Sequence, residues 1–328
     1  MAKNGGIHLD LDLDAPGRAV GAYVVPHSDD THPFGFSGPI AVINGRPGPT
    51  LTVIGGVHGD EYQGPILAAR LYREIDPAQL TGRLILLPAL NTPALAAGTR
   101  CSPLDGANLN RAFQIPPPPG PTGAIAAWLE AAILPISQAV LDIHAGGKAS
   151  IFAPVAMIDP HLDANRALAE AFALPLIWEL GALNSGASVN AAAARAGVAM
   201  MACELGGAGG TDRQTNLLAH RGVLGVMAHL GMGAEGCTPQ RPAFVYADLP
   251  EHGRQVRARV AGLFEPAVEP GEDIAAGQVL GSIADALDLA RDPVTVRAAH
   301  EGILVSRLWR SRVLPGETVA TILRKRLP

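Results

Sequence analysis

The segment that most constrains the fold runs from residue 51 to residue 61 and joins an apolar run to a histidine and a glutamate. Residues 51–54 predict a buried parallel strand, and the glycines after them allow a sharp turn at its carboxyl end, where open α/β sheets bind ligands. Pro65 indicates the first turn of a following helix. His58 and Glu61 are therefore predicted to be two of the three protein ligands of a catalytic zinc site at this sheet edge.

A second apolar run, residues 139–143, ends in a histidine that is followed by glycines. Its strand pattern places His144 at the same sheet edge, so His144 is the predicted third zinc ligand. Asp142 lies two residues earlier and faces the same side of the strand. This spacing predicts a carboxylate that accepts a hydrogen bond from a ligand imidazole and fixes its tautomer.

Two further segments contain residues suited to acyl-transfer chemistry. Residues 98–111 are rich in turn residues and amides and include two arginines, the side chain that suits carboxylate binding and oxyanion stabilisation. Residues 198–203 are another apolar run, which ends in Glu204 and glycines. A glutamate at the end of a buried strand is costly without a partner or a function, and the general base for a zinc-bound water is the predicted function. A structural ion pair with an arginine is the alternative.

Taken together, these motifs resemble the succinylglutamate desuccinylase and aspartoacylase family, which is related to the zinc carboxypeptidases. Over about residues 40–235 the motifs are, in order, His58-x-x-Glu61, Arg100, Asn110-Arg111, Asp142-x-His144 and Glu204. The resemblance implies that the two histidines and Glu61 bind one Zn²⁺ per chain and that Arg100 polarises the scissile carbonyl. It also implies that Asn110 and Arg111 hold the carboxylate of the substrate and that Glu204 is the base.

Within that family, residues 97–111, 144–148 and 204–207 resemble most the N-acetyl-diaminobutyrate deacetylases of ectoine breakdown. Aspartoacylases carry an arginine on the helix before the base, which holds the second carboxylate of their substrate. Residues 188–195 have alanine in its place, with Arg195 one position off. This difference argues against an acidic substrate side chain, so the predicted reaction is removal of the acyl group from an N-acylated amino acid, with N-α-acetyl-L-2,4-diaminobutyrate as the preferred substrate.

Other functions remain open from the sequence. The enzymatic alternatives are an aspartoacylase or succinylglutamate desuccinylase proper and a carboxypeptidase, and the non-enzymatic alternative is a metal-binding protein without turnover. Glu179 and Asp212 are unranked candidates for binding a cationic substrate side chain. No tyrosine follows Tyr246 to match the one that aspartoacylases bring from their C-terminal domain. In the comparable region, His300 and Glu301 could take the place of that tyrosine. They are interpreted equally well as a surface pair before a turn.

Composition and charge favour a compact enzyme that acts on small molecules. The chain has 328 residues, of which 48% are hydrophobic and 17% charged, which excludes a disordered chain. A formal net charge of -5 gives no electrostatic reason to expect nucleic acid. The three scattered cysteines are interpreted as reduced thiols, and no signal peptide or bilayer-spanning run is seen, so a cytoplasmic protein without membrane attachment is expected.

Alternating strand and helix patterns, among them a strand over 84–90 and a helix over 122–134, predict an α/β fold, with a mostly parallel or mixed sheet covered by helices in residues 1–236. Residues 237–328 are predicted to contain a linker, at 239–250, and a small β-sandwich or barrel domain. A Pro-Gly turn repeats there, in 268–274 and 313–319, and resembles lipoyl-type domains. The only lysine beyond Lys148 is Lys325, near the C-terminus, which argues against a carrier role. The domain is expected instead to shape the pocket entrance or to form a subunit contact in a homo-oligomer.

Overall fold

The structure, a computed structural model, describes residues 6–28, 35–181, 186–233, 240–250 and 254–326. The strands before residue 234 are β1 (His8–Asp10), β2 (Gly17–Val25), β3 (Phe36–Asn44), β4 (Arg46–Ile54), β5 (Thr81–Leu87), β6 (Ala139–His144), β7 (Ser150–Ile158), β8 (Leu176–Glu179) and β9 (Ala199–Gly207). The helices are α1 (Gln63–Glu74), α2 (Thr92–Ala97), α3 (Pro121–Trp128), α4 (Asp163–Phe172), α5 (Val189–Ala196) and α6 (Arg213–His229). The later strands are β10 (Val245–Asp248), β11 (Gln255–Arg257), β12 (Gly262–Pro266), β13 (Asp273–Ile274), β14 (Val279–Ala284), β15 (Val294–Arg297), β16 (Gly302–Leu308), β17 (Arg312–Val313) and β18 (Thr318–Lys325).

One large mixed sheet organises the molecule, in the order β1-β2-β3-β5-β4-β6-β9-β7-β8-β10-β18-β16-β13. At its centre β4 pairs in parallel with β5 and β6, and β6 pairs in parallel with β9. The carboxyl ends of β4, β6 and β9 therefore meet at one edge of the sheet. The predicted fold class, α/β with a mixed sheet covered by helices, is confirmed.

Helices cover both faces of this sheet, because successive residues of the central strands face opposite sides. One face packs against α1, α4 and α6 and buries Val53, Leu141, Met201, Leu67, Leu168, Phe172 and Val226. The other face packs against α3 and α5 and buries Ile54, Val140, Met200, Ile125, Trp128 and Val189. Burial on both faces explains why these strands are continuous apolar runs in the sequence.

Part of the sheet closes on itself as a small barrel. β7 pairs with β8 and also with β16, so that β7, β8, β10, β18 and β16 form a ring of five strands. Its interior is filled by apolar side chains, namely Val155, Leu176, Ala247, Ile303, Val305 and Leu323. The barrel thus joins strands from both sides of the predicted domain boundary after residue 236. That boundary falls among residues 234–239, outside the described part of the chain, and stays a prediction.

The C-terminal β region also contains a separate four-stranded sheet, β15-β14-β12-β17. The two predicted Pro-Gly turns have matching contacts: Glu269 N donates to Glu272 Oε1 (3.0 Å), and Leu314 N donates to Glu317 Oε2 (2.8 Å). Gly271 has a φ of 102°, a conformation that favours glycine. The repeated motif therefore marks a repeated turn structure.

The local differences from the sequence predictions concern element ends. The predicted linker 239–250 contains strand β10, because residues 245–248 pair with both β8 and β18. The predicted strand over 84–90 ends at Leu87, since the chain then turns into α2, whose first turn is capped by Asn91. The predicted helix over 122–134 is α-helical only to Trp128 and continues as a wider π-type turn. Within the described residues, every helix is too short or too polar to cross a bilayer.

Candidate active site

The three predicted zinc ligands lie together where the central strands end. His58 and Glu61 follow β4 and His144 ends β6, and all three side chains are at least 97% buried. His58 Nδ1 is 2.8 Å from Glu61 Oε1, and His144 Nδ1 is 2.8 Å from Glu61 Oε2. Potential ligand atoms of all three residues lie within 4.8 Å of one another. Two imidazoles and one carboxylate form a ligand set found in catalytic zinc sites.

The outer nitrogens of both imidazoles are held by neighbouring acceptors. His144 Nε2 lies 2.8 Å from Asp142 Oδ2, and His58 Nε2 lies 3.1 Å from Asn108 Oδ1. The Asn108 oxygen also accepts from Asn110 N (2.9 Å), which fixes the orientation of that amide. When each Nε2 donates outward, the Nδ1 lone pairs face the anionic Glu61. A proton or a cation must then lie between these acceptors, so the residues fit a divalent metal ion.

The electrostatics of the cluster agree with this arrangement. Burial would raise the pKa of Glu61, but the charges and hydrogen bonds of His144 and His58 outweigh it and hold that pKa far below its usual range. Burial lowers the pKa of His58. Burial also acts to lower the pKa of His144, but Asp142 and Glu61 outweigh it and raise that pKa well above the ordinary range. Without a metal, the proton of the cluster is therefore held by His144.

Glu204 lies beside the cluster at the end of β9, where its Cα pairs with that of His144. Its Oε2 is buried and has no hydrogen-bond partner within the described part of the chain. Burial and the negative charge of Glu61 raise the pKa of Glu204 to about 8. The alternative that Glu204 serves a structural ion pair finds no support among the described residues, where none of the salt bridges includes it.

The predicted polar residues of segment 98–111 line the same side of the cluster. Arg100 is half exposed, and its Nη1 donates to Glu61 Oε1 over 3.2 Å. Asn110 Oδ1 accepts from Val189 N at the start of α5 (3.1 Å), which leaves its NH₂ group as a donor. Arg111 is exposed and donates to the carbonyl of Asn110 (2.6 Å). These two cations and one amide donor suit a substrate that carries negative charge near the metal-ligand cluster.

A cavity of about 270 Å³ connects these groups. Six of the eight predicted site residues line it, together with residues that the sequence analysis did not single out. The lining residues are His58, Arg100, Asn110, Arg111, His144, Phe152, Met157, Trp178, Leu180, Ser188, Asn190, Ala202, Glu204, Leu249 and Gln255. Glu61 and Asp142 lie behind the histidines and contact them.

The two residues considered for binding a cationic substrate side chain make other contacts. Glu179 is buried and forms ion pairs with Arg166 (2.8 Å) and Arg326. Asp212 caps α6, with Oδ1 accepting from Thr215 N (2.9 Å). Neither carboxylate lines the cavity. Packing therefore assigns both carboxylates to structural contacts.

The other residues that the sequence left undecided also lie outside the cavity lining. Arg195 forms an ion pair with Glu130 (2.9 Å), so it does not face the site. His300 and Glu301 are exposed in the turn before β16, as a surface pair would be. Tyr246 Oη donates to Glu170 Oε1 over 2.7 Å.

Asn108 and Asp60 are structural supports of the site whose roles sequence reasoning missed. Asn108 lies within the quoted segment, but its contact with His58 depends on the short 3₁₀ turn Leu109–Arg111. Asp60 is buried, and its Oδ2 accepts from Lys148 N over 2.9 Å, joining the turns after β4 and β6. Its position in the sequence, between the predicted ligands His58 and Glu61, could have indicated this supporting role.

Comparison with known proteins identifies the family. Residues 47–230 match the model of the succinylglutamate desuccinylase/aspartoacylase catalytic domain, over more than half of the chain. The chain belongs to this family. The resemblance inferred from the motifs is thereby confirmed.

Relatives within the succinylglutamate desuccinylase/aspartoacylase family extend the match to nearly the whole chain. An N-α-acetyl-L-2,4-diaminobutyric acid deacetylase of Halomonas elongata is 33% identical over 96% of this chain and 94% of its own. The product-bound ectoine utilization protein EutE (DoeB) of Ruegeria pomeroyi is 32% identical, with a TM-score of 0.90 over 97% of this chain and 98% of its own. A family member from Rhodobacter sphaeroides is 31% identical, with a TM-score of 0.87 over 98% and 99% of the two chains.

Proposed function

We propose that this protein is a zinc-dependent hydrolase that removes the acyl group from an N-acylated amino acid. The observation that carries the proposal is the convergence of His58, Glu61 and His144 as three acceptors beside the unpaired carboxylate of Glu204. Such a site combines a place for a divalent metal with a base next to it. Bound zinc supplies Lewis-acid chemistry, lowering the pKa of water and polarising a carbonyl.

Glu204 is the proposed general base. Its raised pKa of about 8 in the metal-free protein shows how strongly the surroundings favour a proton on this carboxylate. In the proposed reaction Glu204 takes the proton of the water that attacks the acyl carbonyl, and it delivers that proton to the leaving amine. Acetate and the free amino acid are the products when the acyl group is acetyl.

The arginines complete the proposed site. Arg100 reaches the metal-ligand cluster and is placed to stabilise the negative charge that develops on the carbonyl oxygen. Arg111 and the free NH₂ group of Asn110 bind the α-carboxylate of the substrate. Asp142 orients His144 through the 2.8 Å contact with its Nε2.

N-α-acetyl-L-2,4-diaminobutyrate is the proposed preferred substrate. The Halomonas elongata relative is named for this activity and matches 96% of the chain. Arg195 is paired with Glu130, so Arg100 and Arg111 are the only arginines among the described residues that line the cavity. A second carboxylate, as in N-acetylaspartate, therefore has no additional arginine to bind. The cavity of about 270 Å³ also suits a small molecule better than the end of a peptide.

The test is metal content measured together with amine release from a panel of substrates, with and without chelator. The panel consists of N-α-acetyl-2,4-diaminobutyrate, N-acetylaspartate, N-succinylglutamate and a hippuryl amino acid. We expect one zinc per chain and chelator-sensitive release, fastest from the first compound. Faster release from N-acetylaspartate or N-succinylglutamate would favour the aspartoacylase or desuccinylase alternative, and hippuryl cleavage alone would favour a carboxypeptidase. Stoichiometric zinc without release from any compound would contradict the enzymatic proposal.

A further inference from the structure

The wall of the cavity away from the metal-ligand cluster is formed by one row of paired strand residues. Ala202 of β9 pairs with Met157 of β7, and Met157 pairs with Trp178 of β8. All three side chains line the cavity. Ala202 and Glu204 are two residues apart in β9 and face the same side. The row therefore leads from the proposed base to Trp178.

The row spans two strand spacings. Neighbouring strands lie about 4.8 Å apart, so Trp178 is roughly 10 Å from Ala202 across the sheet. The alanine leaves space beside Glu204, and the tryptophan ends the row. A substrate held at its α-carboxylate by Arg111 can thus extend its side chain along the row toward the indole.

The side chain of Trp178 lines this end of the cavity. The residue is half buried, and its Nε1 is enclosed without a hydrogen-bond partner among the described residues. Like Phe152 and Leu249, it packs against the apolar interior of the barrel. The exposed part of the side chain is therefore aromatic surface, which attracts a cation positioned over its face.

Asn190 adds a neutral polar group to the cavity lining. It lies in the first turn of α5, lines the cavity and is half buried. Across residues 6–28, 35–181, 186–233, 240–250 and 254–326, none of the hydrogen bonds engages its side-chain amide. An amide oxygen accepts hydrogen bonds from an ammonium group.

The charges around the cavity also distinguish its two ends. Arg100 and Arg111 lie at the end with the proposed metal and carboxylate sites, whereas the described residues of the opposite wall are neutral. Glu179 is next to Trp178 in β8, so its side chain faces the other side of the strand, where Arg166 and Arg326 neutralise it. Recognition of a cation here relies on neutral groups.

We propose that Trp178 and Asn190 form the subsite that binds the ammonium group of the substrate's side chain. The inference rests on the proposed function, because it names how the same site selects its substrate. Trp178 supplies the aromatic face, and Asn190 supplies a carbonyl acceptor. Since neither carries a charge, selectivity comes from desolvated cation–π and hydrogen-bond contacts in a partly closed site.

The test compares two substrates that differ only at the end of the side chain. N-acetylnorvaline replaces the ammonium of N-α-acetyl-2,4-diaminobutyrate by a methyl group of similar size. We expect the zinc-loaded enzyme to have a higher kcat/KM for the diaminobutyrate compound. Trp178→Leu should lower this preference roughly 5–30-fold, while kcat/KM for N-acetylnorvaline changes little. Asn190→Leu should lower the preference for the diaminobutyrate compound by a smaller factor.

Two further variants separate recognition from folding. Trp178→Phe keeps an aromatic face and should retain part of the preference even if Trp178→Leu folds poorly. Trp309→Leu removes a tryptophan stacked on Arg307 outside the cavity and should leave the preference unchanged.

An equal loss of kcat/KM for both substrates in Trp178→Leu and Trp178→Phe would overturn the subsite. A wild-type preference near one, with turnover of both compounds, would overturn it while the proposed reaction stands. No turnover of either compound would refute the proposed reaction as well.

Discussion

At the scale of single residues, the site is defined by acceptors that face one another. His58, Glu61 and His144 approach within hydrogen-bond distance, and Asp142 and Asn108 direct both imidazoles inward. Removing any one of these charges or acceptors changes the protonation of the rest, because they share a buried volume. Substitutions at the site therefore need readouts that separate metal binding from turnover.

Glu204→Gln tests the base without altering the shape of the site. We expect zinc to remain at one per chain, because Glu204 is not among the three clustered ligands, and kcat to fall about 10²–10⁴-fold. Zinc content by elemental analysis and steady-state amine release are the measurements. Glu265→Gln, at an exposed position of strand β12, is the matched control and should keep full activity. Near-normal turnover in Glu204→Gln would remove this residue from the base role.

Zinc binding should release a proton from the cluster. Asp142 and Glu61 raise the pKa of His144 well above its ordinary range in the metal-free protein, which favours the protonated imidazole. A metal needs the Nδ1 lone pair, and the proton must leave. Acid opposes that loss, so zinc affinity should fall by up to about tenfold per pH unit as pH decreases.

Titration calorimetry in two buffers of different ionisation enthalpy measures this proton release. We expect about one proton per zinc near pH 7. Asp142→Asn removes a charge that raises the pKa of His144, so it should release less than the wild type. The same variant should bind zinc roughly 10–100-fold more weakly, because the imidazole loses its anionic partner. Proton release that is identical in the two proteins would contradict this account of His144.

At the scale of elements, the turn after β4 sets the geometry of two ligands. Gly59 lies between His58 and Glu61, and its N donates to Thr99 O over 2.9 Å. A Cβ at this position would lie 1.9 Å from the backbone carbon of Ala94 in α2. The turn and the helix are thus packed too closely for any side chain, which explains why glycine is required there.

Gly59→Ala should destabilise the protein and displace the ligands. Relief of the clash requires backbone movement, with a cost of about 1–3 kcal/mol or more in the free energy of unfolding. Zinc affinity should fall as well, since His58 and Glu61 flank the site of movement. Urea unfolding and competition with a chelator measure the two effects. Gly210→Ala, where an added Cβ meets nothing within 4 Å, is the control and should behave like the wild type.

At the scale of the whole molecule, the closed barrel links the two parts of the chain. β16 and β18 contribute Ile303, Val305 and Leu323 to the same interior as Val155 and Leu176. The cavity lies beside this barrel, since Phe152, Trp178 and Leu249 contact both. Residues 254–326 therefore support the site through packing, and Gln255 lines it directly.

Leu323→Ala tests this shared packing. Leu323 is fully buried, and truncating it should lower the free energy of unfolding by about 2–5 kcal/mol. Because strands from both parts line the barrel, we expect one cooperative transition in which zinc release and loss of β structure coincide. Leu314→Ala, at a position 44% exposed, is the matched control and should change stability little. Separate transitions for the two parts would show that they fold independently.

The sequence alone predicted that His58, Glu61 and His144, the proposed metal ligands, lie together. His58, Glu61 and His144 could be assigned because each follows an apolar run and glycines, and parallel strands bring such ends to one edge of a sheet. The C-terminal Pro-Gly turns could be predicted for a similar reason, since a local glycine conformation specifies them. These are short-range features, and their physical cause lies within a few residues of the chain.

Only the tertiary structure decided what forms the rest of the cavity. Trp178 reaches it because β8 pairs with β7 and β7 pairs with β9, an order that no local pattern specifies. Glu179 and Asp212 were equal candidates in the sequence, and packing assigned one to Arg166 and Arg326 and the other to a helix cap. Barrel closure likewise depends on the pairing of β16 with β7, two strands more than a hundred residues apart in sequence. Register and strand order arise from the burial of the whole sheet, so they are properties of the folded chain rather than of any segment.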